Sequence, residues 1–591
     1  MRATISLTII ISFILLSCNQ QSNDCIRINQ LGYRKEDIKV AVFLSTKQIN
    51  IKSFRIVDAN SGKTILSSDA VTIKESPGLF KSCYRLSFTD LNKEGTYRIE
   101  AGDAVSPGFR ISDGVYNGTA DFLLSYMRQQ RCGFNPWLND SCHTDDGYII
   151  YSGLPDSVHI DVTGGWHDAA DYLQYVATSA NATYQMLFAY SENPSSFSDE
   201  YLASGLPGKD SIPDVLNESR WGLDWLLKMN PAPGIMYNQI ADDRDHIGFR
   251  FPNKDTAYYG KGAERPVYRC TGKPQGLFRY RNRATGIAST AGKFASAFAK
   301  GAQVYKTTDP EFSELLVSKA LSAFSYGLEN PGVCQTAPCG APYFYEEDNW
   351  TDDMELAAIE LFKITLEEKY LRYAVDFGRK EPVTPWIGAD TARHYQWYPF
   401  INMGHPGIAT NADQGDLKGE FLSNMKEGLH RIKTKGEKNP FLIGVPFIWC
   451  SNNLLAATLT QADLYRRISG DSSFAELEAA HRDWLFGCNP WGTSMIVGLP
   501  ENGDYPENTH SSYVVKGEQV PGGLVDGPVY PSIFSNLKGL YLSRPDEYAL
   551  FQTRLAVYHD DYADYSTNEC TMDGTASLIY YLSALQSEEI K

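Results

Sequence analysis

The chain has 591 residues, 43% hydrophobic and 21% charged, with a formal net charge of −17. That balance excludes a disordered chain, and the length exceeds what one ordinary domain needs. A surface this negative repels nucleic acid and anionic lipid, so a neutral or cationic partner is expected. Aromatic residues reach 13%, with 36 Tyr. Most such rings fill cores, and the rest suit a groove that stacks on sugar faces.

Arg2 precedes a short apolar run from Ile5 to Leu16. The run is too short for a membrane span, which needs ~20 residues, and it reads as a signal peptide. It ends Leu15-Leu16-Ser17-Cys18, which resembles a bacterial lipoprotein cleavage box. That resemblance implies a signal over 1–17, lipidation of Cys18, and a linker over 18–24. The alternative is a plain secretory signal with an incidental Cys. NQQSN after Cys18 holds no acidic cluster, so the expected address is the outer membrane, periplasm-facing rather than surface-exposed. Nothing later in the sequence is apolar enough to span a bilayer, so the membrane is met through the lipid alone. The other ten cysteines are too sparse for a disulfide scaffold. Cys334 and Cys339, close together in a Pro/Gly loop, could pair.

Residues 25–112 alternate in short runs such as KVAVFLS, SFRIVDA, CYRLSFTDL and TYRIEAG, punctuated by Asn, Gly, Ser and Asp. Short alternating strands at this spacing predict a small β-sandwich. Residues 113–591 change texture. TADFLLSYMRQQ, DYLQYVATSANATYQMLFAY, VLNESRWGLDWLLKMN, ASTAGKFASAFAKGAQVY, ELAAIELFKIT, NNLLAATLTQADLYRRI and TASLIYYLSAL carry apolar residues at three-to-four spacing. These predict amphipathic helices. Long loops rich in Gly, Pro, Tyr and Trp join them, which suits a helical barrel with a cleft at its loop end.

Two acidic constellations stand out. In Gly164-Gly165-Trp166-His167-Asp168-Ala169-Ala170-Asp171-Tyr172, two glycines admit a tight turn, and Asp168 and Asp171 sit three apart at the start of a predicted helix. On a first helical turn they would share a face, near positive helix-dipole charge, as a general base holding water requires. A capping Asp beside a solvated Asp fits the same spacing. The second runs from Tyr558 to Glu569 and holds Asp560, Asp561, Asp564 and Glu569 among aromatics, just before a final helix. A carboxyl shielded by rings has a raised pKa and suits a general acid, whereas a solvated acidic loop would not. Two such centres far apart in sequence invite a glycosidase reading, and sequence does not measure their separation.

At these residues the chain resembles glycoside hydrolase family 9, the family of inverting cellulases. GGWHDAADY is similar to its GGW-x-DAGDY base motif, and the Tyr558–Thr575 stretch to its aromatic-x-Asp…aromatic-x-x-x-Glu signature. IPDVLNESRWGLDWLLKMN, FGCNPWGTSM and PGGLVDGP match too, and NQLGY…KVAVF resembles the immunoglobulin-like module preceding many such catalytic domains. The resemblance implies a mainly α fold: an (α/α)6 barrel behind an immunoglobulin-like β-sandwich. It implies Asp171 as general base, Asp168 holding the water, Glu569 as general acid and Asp560 as its supporting carboxylate. His510, Trp350, Trp491 and Tyr565 become candidate sugar contacts. The implied reaction is endo-acting hydrolysis of a β-1,4-glucan without a catalytic cofactor. The rivals are an exo-acting β-glucosidase or β-glucosaminidase, and a non-catalytic glycan-binding lipoprotein.

Three departures bear on this. Ala170 replaces the usual Gly of DAGD, a change a helix tolerates. The family's His-x-Arg reads His510-Ser511-Ser512, so the Arg is missing. The charged stretch from Asp242 to Arg283 is long enough to narrow or block one end of a cleft. A metal is also expected. Cys132, Cys142 and His143, with His167 as fourth ligand and His159 as its competitor, make a candidate structural zinc site. Members of the family with the same N-terminal module carry such a zinc. Calcium is allowed by the resemblance, without a place.

Overall fold

A computed structural model describes residues 24–151, 158–411 and 415–587. The signal-like run and Cys18 lie outside them.

The first strands are β1 (Cys25–Arg27), β2 (Val40–Ser45), β3 (Phe54–Asp58), β4 (Thr64–Ser68), β5 (Val71–Lys74), β6 (Ser82–Ser87), β7 (Gly95–Ala101), β8 (Ala104–Val105) and β9 (Phe109–Ile111). They form two antiparallel sheets, β1-β2-β6-β5 and β4-β3-β7-β8, with β9 also on β7. Strand β7 shows why: Tyr97, Ile99 and Ala101 point inward while Thr96 and Arg98 face solvent, the period of two that a half-buried strand requires. Strand β2 instead is buried on both faces. Its Ala41 and Phe43 fill the sandwich, while Val42 and Leu44 join the core of the helical domain. Arg85 fastens that junction, donating to Pro440 O at 2.8 Å and to Glu476 Oε1 at 2.9 Å.

The helices are α1 (Thr119–Gln129), α2 (Val176–Glu192), α3 (Asp214–Met229), α4 (Ala288–Tyr305), α5 (Pro310–Glu329), α6 (Thr351–Thr365), α7 (Glu368–Gly378), α8 (Gly404–Asn411), α9 (Gly415–Gly436), α10 (Ser451–Ser469), α11 (Ala475–Leu485), two short loop helices α12 (Ser512–Val515) and α13 (Pro531–Asn536), and α14 (Met572–Ser587). Helices α2, α4, α6, α8, α10 and α14 touch in succession, and α14 returns to α2, closing a ring. Helices α1, α3, α5, α7, α9 and α11 pack outside it. This is the (α/α)6 barrel. Its two layers read differently. Inner α10 is buried without a break from Ser451 to Tyr465. Outer α9 buries only Phe421, Met425, Gly428, Leu429, Ile432 and Gly436, a stripe at three-to-four spacing.

The segments that enter the inner helices gather at one end of the barrel. The segment before α2 corrects one expectation: Asp168 and Asp171 are not on a first helical turn, because α2 begins only at Val176. The aspartates bend the chain themselves. Asp168 N–H bonds to Leu173 O at 2.9 Å, and Asp171 Oδ1 accepts from Leu173 N–H at 3.1 Å. Local bonds of this kind compete with a helical ladder. Upstream, Gly165 has φ +70°, and a Cβ there would sit 2.6 Å from the Trp225 ring. Trp166 is fully buried, and its Nε1 donates to Glu218 at 2.8 Å. The ten described cysteines are free thiols, Cys334 and Cys339 included.

Gly165→Ala adds a methyl against Trp225 in a left-handed conformation. It should destabilise the fold by about 1–3 kcal/mol and lower activity by displacing the Asp171 loop. Thermal unfolding and turnover measured together check this; an unchanged midpoint contradicts it.

Candidate active site

Two loops bring the acidic constellations together. In the first, Asp171 accepts from Leu173 N–H through Oδ1, and its Oδ2 lies 3.2 Å from His246 Nε2. Its side chain stays 12% exposed, open to a cavity of about 570 Å³. Asp168 stands behind the wall. One oxygen accepts from Thr178 Oγ1 at 2.8 Å and the other from the Tyr345 hydroxyl, and the residue is 1% exposed. Burial and the charges of Asp171 and Asp573 push its carboxyl well above the usual carboxylate range. Asp168 thus braces the loop, and water reaches Asp171 first.

Glu569 comes from the segment before α14 and lines the same cavity. It forms a bridge with His510, whose N–H bonds to Asn568 O at 2.8 Å. Burial raises its carboxyl well above the usual range, and the charges of Asp526 and Asp171 add to this. Ala170 N–H donates to Glu569 Oε1 at 3.0 Å, tying the two loops. Asp560 sits off the cavity as a clamp. It accepts from Glu507 N–H at 3.0 Å, Asn508 N–H at 2.8 Å and Asn568 Nδ2 at 3.0 Å, next to Glu569.

Among the sugar-contact candidates, His510 and Tyr565 lie on the cavity wall. His510 Nδ1 donates to Tyr562 O at 2.6 Å, and burial lowers its pKa, which leaves Nε2 of the neutral ring as an acceptor. Neither Trp is a platform. Trp350 packs edge-on against Phe377 at 5.7 Å, outside the lining. Trp491 is 2% exposed, wedged against Trp484 and Tyr558. The rings on the cavity are Trp449, Tyr343, Phe249 and Tyr565. The sequence reading missed the first three, and His246 with them. The charged stretch from Asp242 to Arg283 is part of the wall, supplying Asp245, His246, Gly248, Phe249 and Arg250. Where the expected Arg is missing, Ser512 Oγ accepts from Arg250 N–H at 3.1 Å. A different part of the chain thereby brings an arginine to the cavity. Burial pulls the His246 imidazole down, but its hydrogen bond to Asp171 and that charge outweigh it and leave its pKa raised.

Behind the base loop, Cys132, Cys142, His143 and His167 place their donor atoms within 4.8 Å of one another. Residues 131 and 166 pair as a bridge, which sets Cys132 beside His167. Donor separations are 3.2 Å for His143 Nδ1 to His167 Nε2, 3.7 Å for Cys132 Sγ to His143 Nδ1 and 4.0 Å for Cys142 Sγ to His167 Nε2. Tetrahedral zinc with ordinary bond lengths spaces its donors about 3.3–3.8 Å apart, so this set fits a metal. His159 is 54% exposed and faces Glu264 at 3.6 Å, away from the cluster. His167 is the fourth member. Among the described residues this is the one such group, and no carboxylate cluster joins it as a place for calcium.

The model of the glycosyl hydrolase family 9 domain matches residues 116–582, and that of the cellulase N-terminal ig-like domain matches residues 21–106. The chain belongs to glycosyl hydrolase family 9. Endoglucanase D of Acetivibrio thermocellus is 24% identical over 96% of this chain and 84% of its own length. A cellodextrinase of Butyrivibrio fibrisolvens is 23% identical over 94% of this chain and 99% of its own length. The solved structure of a metagenome-derived family 9 endoglucanase has a TM-score of 0.75 at 24% identity, covering 95% of this chain and 99% of that one. The family's double domain is thus present over nearly the whole described length.

The raised carboxyl of Glu569 has a thermodynamic consequence. A carboxyl that binds its proton more tightly when folded costs stability as pH rises from the ordinary Glu value towards the raised one. Glu569→Gln removes that loss. Its unfolding midpoint should match the parent near pH 4 and exceed it at pH 7 to 8. A variant less stable than the parent at pH 8 contradicts the assignment.

Proposed function

We propose that the protein is an inverting, endo-acting hydrolase of a β-1,4-linked glucan of the cellulose, xyloglucan or mixed-linkage type. The observation that carries this is the placement of Asp171 and Glu569 on one cavity with different neighbours, a histidine beside the first and other carboxylates around the second. Asp171 is reached by solvent and accepts hydrogen bonds, which suits a group that takes a proton from water. Glu569 is half-buried, and desolvation with the nearby charges of Asp526 and Asp171 raises its pKa, which suits a group that gives a proton up. The Ala170 N–H holds one Glu569 oxygen and leaves the other to carry the proton. As Asp171 activates the water for attack on the anomeric carbon, Glu569 protonates the leaving oxygen. Trp449, Tyr343, Phe249 and Tyr565 supply ring faces for the glucosyl units. The endoglucanase names of its relatives support the same substrate.

Asp171→Asn and Glu569→Gln should each lower kcat by about 10²–10⁴-fold with circular dichroism unchanged. Proton magnetic resonance of the first turnovers on a β-glucan should show the α anomer appearing first. A β anomer appearing first sinks inversion, and near-normal turnover by both variants sinks the pair.

A second reading is favoured by Phe249, which packs against His510 at 4.8 Å and Tyr562 at 6.1 Å. A segment joined to the acid side in this way narrows the groove and suits exo-action on oligosaccharides. Endo-action lowers glucan viscosity early and releases mixed lengths, while exo-action releases one product.

The four-residue cluster is proposed to hold a structural zinc. When bound, the metal would fix the loop that carries His167 and, one residue on, Asp168. The N-terminal run is proposed to be a lipoprotein signal, with Cys18 lipidated and the enzyme on the periplasmic side of the outer membrane. That supports a role on glucan fragments already inside the cell envelope. Labelling with a fatty-acid analogue, lost in Cys18→Ala, checks the anchor.

A further inference from the structure

One carboxylate joins the metal cluster to the substrate cavity. Asp255 belongs to the charged stretch, five residues past Arg250 on the cavity wall, and its side chain is 8% exposed. Its Oδ2 lies 3.0 Å from His143 Nε2, the ring nitrogen facing away from the cluster. Its Oδ1 accepts from Arg250 Nε at 2.5 Å. Arg250 lines the cavity, pairs through Nη2 with Asp245 Oδ2 at 3.0 Å, and lies over the Tyr172 ring at 4.9 Å. Asp245 in turn accepts from Tyr172 N–H at 2.9 Å. Tyr172 follows Asp171, and its ring packs on both histidines of the cluster, at 4.8 Å from His167 and 5.6 Å from His143. The path from the metal donors to the base loop is thus continuous.

We propose that Asp255 is a positioning residue with two tasks. With one oxygen it fixes the tautomer and tilt of His143, so that Nδ1 carries its lone pair into the cluster. With the other it holds Arg250, and through Arg250 the wall from Asp245 to Phe249. A carboxylate behind a ligating histidine orients the ring and raises its basicity. Here the same carboxylate also grips the substrate wall. Metal occupancy and sugar binding are therefore linked, and linkage runs in both directions. This rests on the cluster being a metal site, which zinc binding by the parent protein tests separately.

The experiment compares the full chain with Asp255→Asn and Asp255→Ala. Zinc affinity is measured by competition with a chromophoric chelator, cobalt substitution reports ligand geometry through its visible spectrum, and KM is measured on cellotetraose. Asp255→Asn should bind zinc about 10–100-fold more weakly with an altered cobalt spectrum. KM should rise in the zinc-free parent and in the zinc-loaded variant. Thermal unfolding of each zinc-loaded protein identifies a variant that fails to fold, and in that case the zinc-free parent carries the test. Zinc affinity of Asp255→Asn within twofold of the parent overturns the first task. An unchanged KM in the zinc-loaded variants overturns the second, and an unchanged KM in the zinc-free parent overturns the linkage. A parent protein that binds no zinc overturns the metal reading itself and leaves the Asp171–Glu569 pair untouched.

Discussion

The site depends on ring closure between the first and last inner helices. Asp171 and Glu569 lie at opposite ends of the catalytic domain's sequence, yet α14 packs against α2. Two backbone donors complete the join: Met572 N–H bonds to Asp168 O at 2.9 Å, and Ala170 N–H bonds to Glu569 Oε1 at 3.0 Å. Neither bond can form in an open arc of helices. The barrel therefore does more than bury apolar surface. It sets the register of the two loops against each other, so the catalytic pair exists only once the whole ring is closed.

That closure also sets the electrostatics. Asp168, Asp526 and Asp573 are buried, and Glu569 half-buried, close to where α2 and α14 begin. So many carboxyls without a matching cation cannot all be ionised, and burial raises each of these four. Asp168 and Asp573 find hydroxyl donors, from Tyr345 and Tyr395 respectively. Among the described residues the Glu569 carboxyl accepts from the Ala170 N–H, and it faces the cavity, where it can exchange a proton with a substrate. Asp171 is set apart by its opening to solvent and by His246.

The sequence disclosed the parts that repeat a physical rule. Inner helices such as α2, α4, α10 and α14 were legible from apolar residues at three-to-four spacing, and β3 and β7 from the contrast between buried and exposed positions. Strands β4 and β5 were not: TILSS and VTIK hold half-buried and exposed residues with little contrast. The start of α2 was misplaced because the chain closes a turn before it, held by the Asp171 carboxyl and the Asp168 backbone N–H, which periodicity does not reveal. The aromatic wall failed for another reason. Trp350 and Trp491 were chosen by residue type, and type does not say which way a ring faces. Position does. Asp171, Glu569 and Trp449 stand two to five residues before an inner helix and Tyr343 eight before one, at the end where the loops gather. Trp350 is one step too far, at the start of α6 itself. Trp491 stands where barrel meets sandwich, beside Gly492, whose carbonyl accepts from Gln30 at 2.6 Å.

The same geometry gives the cavity a positive charge on the side of His510. Arg250 lies in the stretch from Asp242 to Arg283, held by Asp245 on one side and Asp255 on the other. Its backbone N–H reaches Ser512, the residue standing where the arginine is missing. A serine is small enough to let that segment approach, and a long side chain there would meet the Arg250 backbone. The wall segment occupies the space the missing side chain would need, and it brings its own cation, anchored from the metal side of the base loop rather than from the acid side.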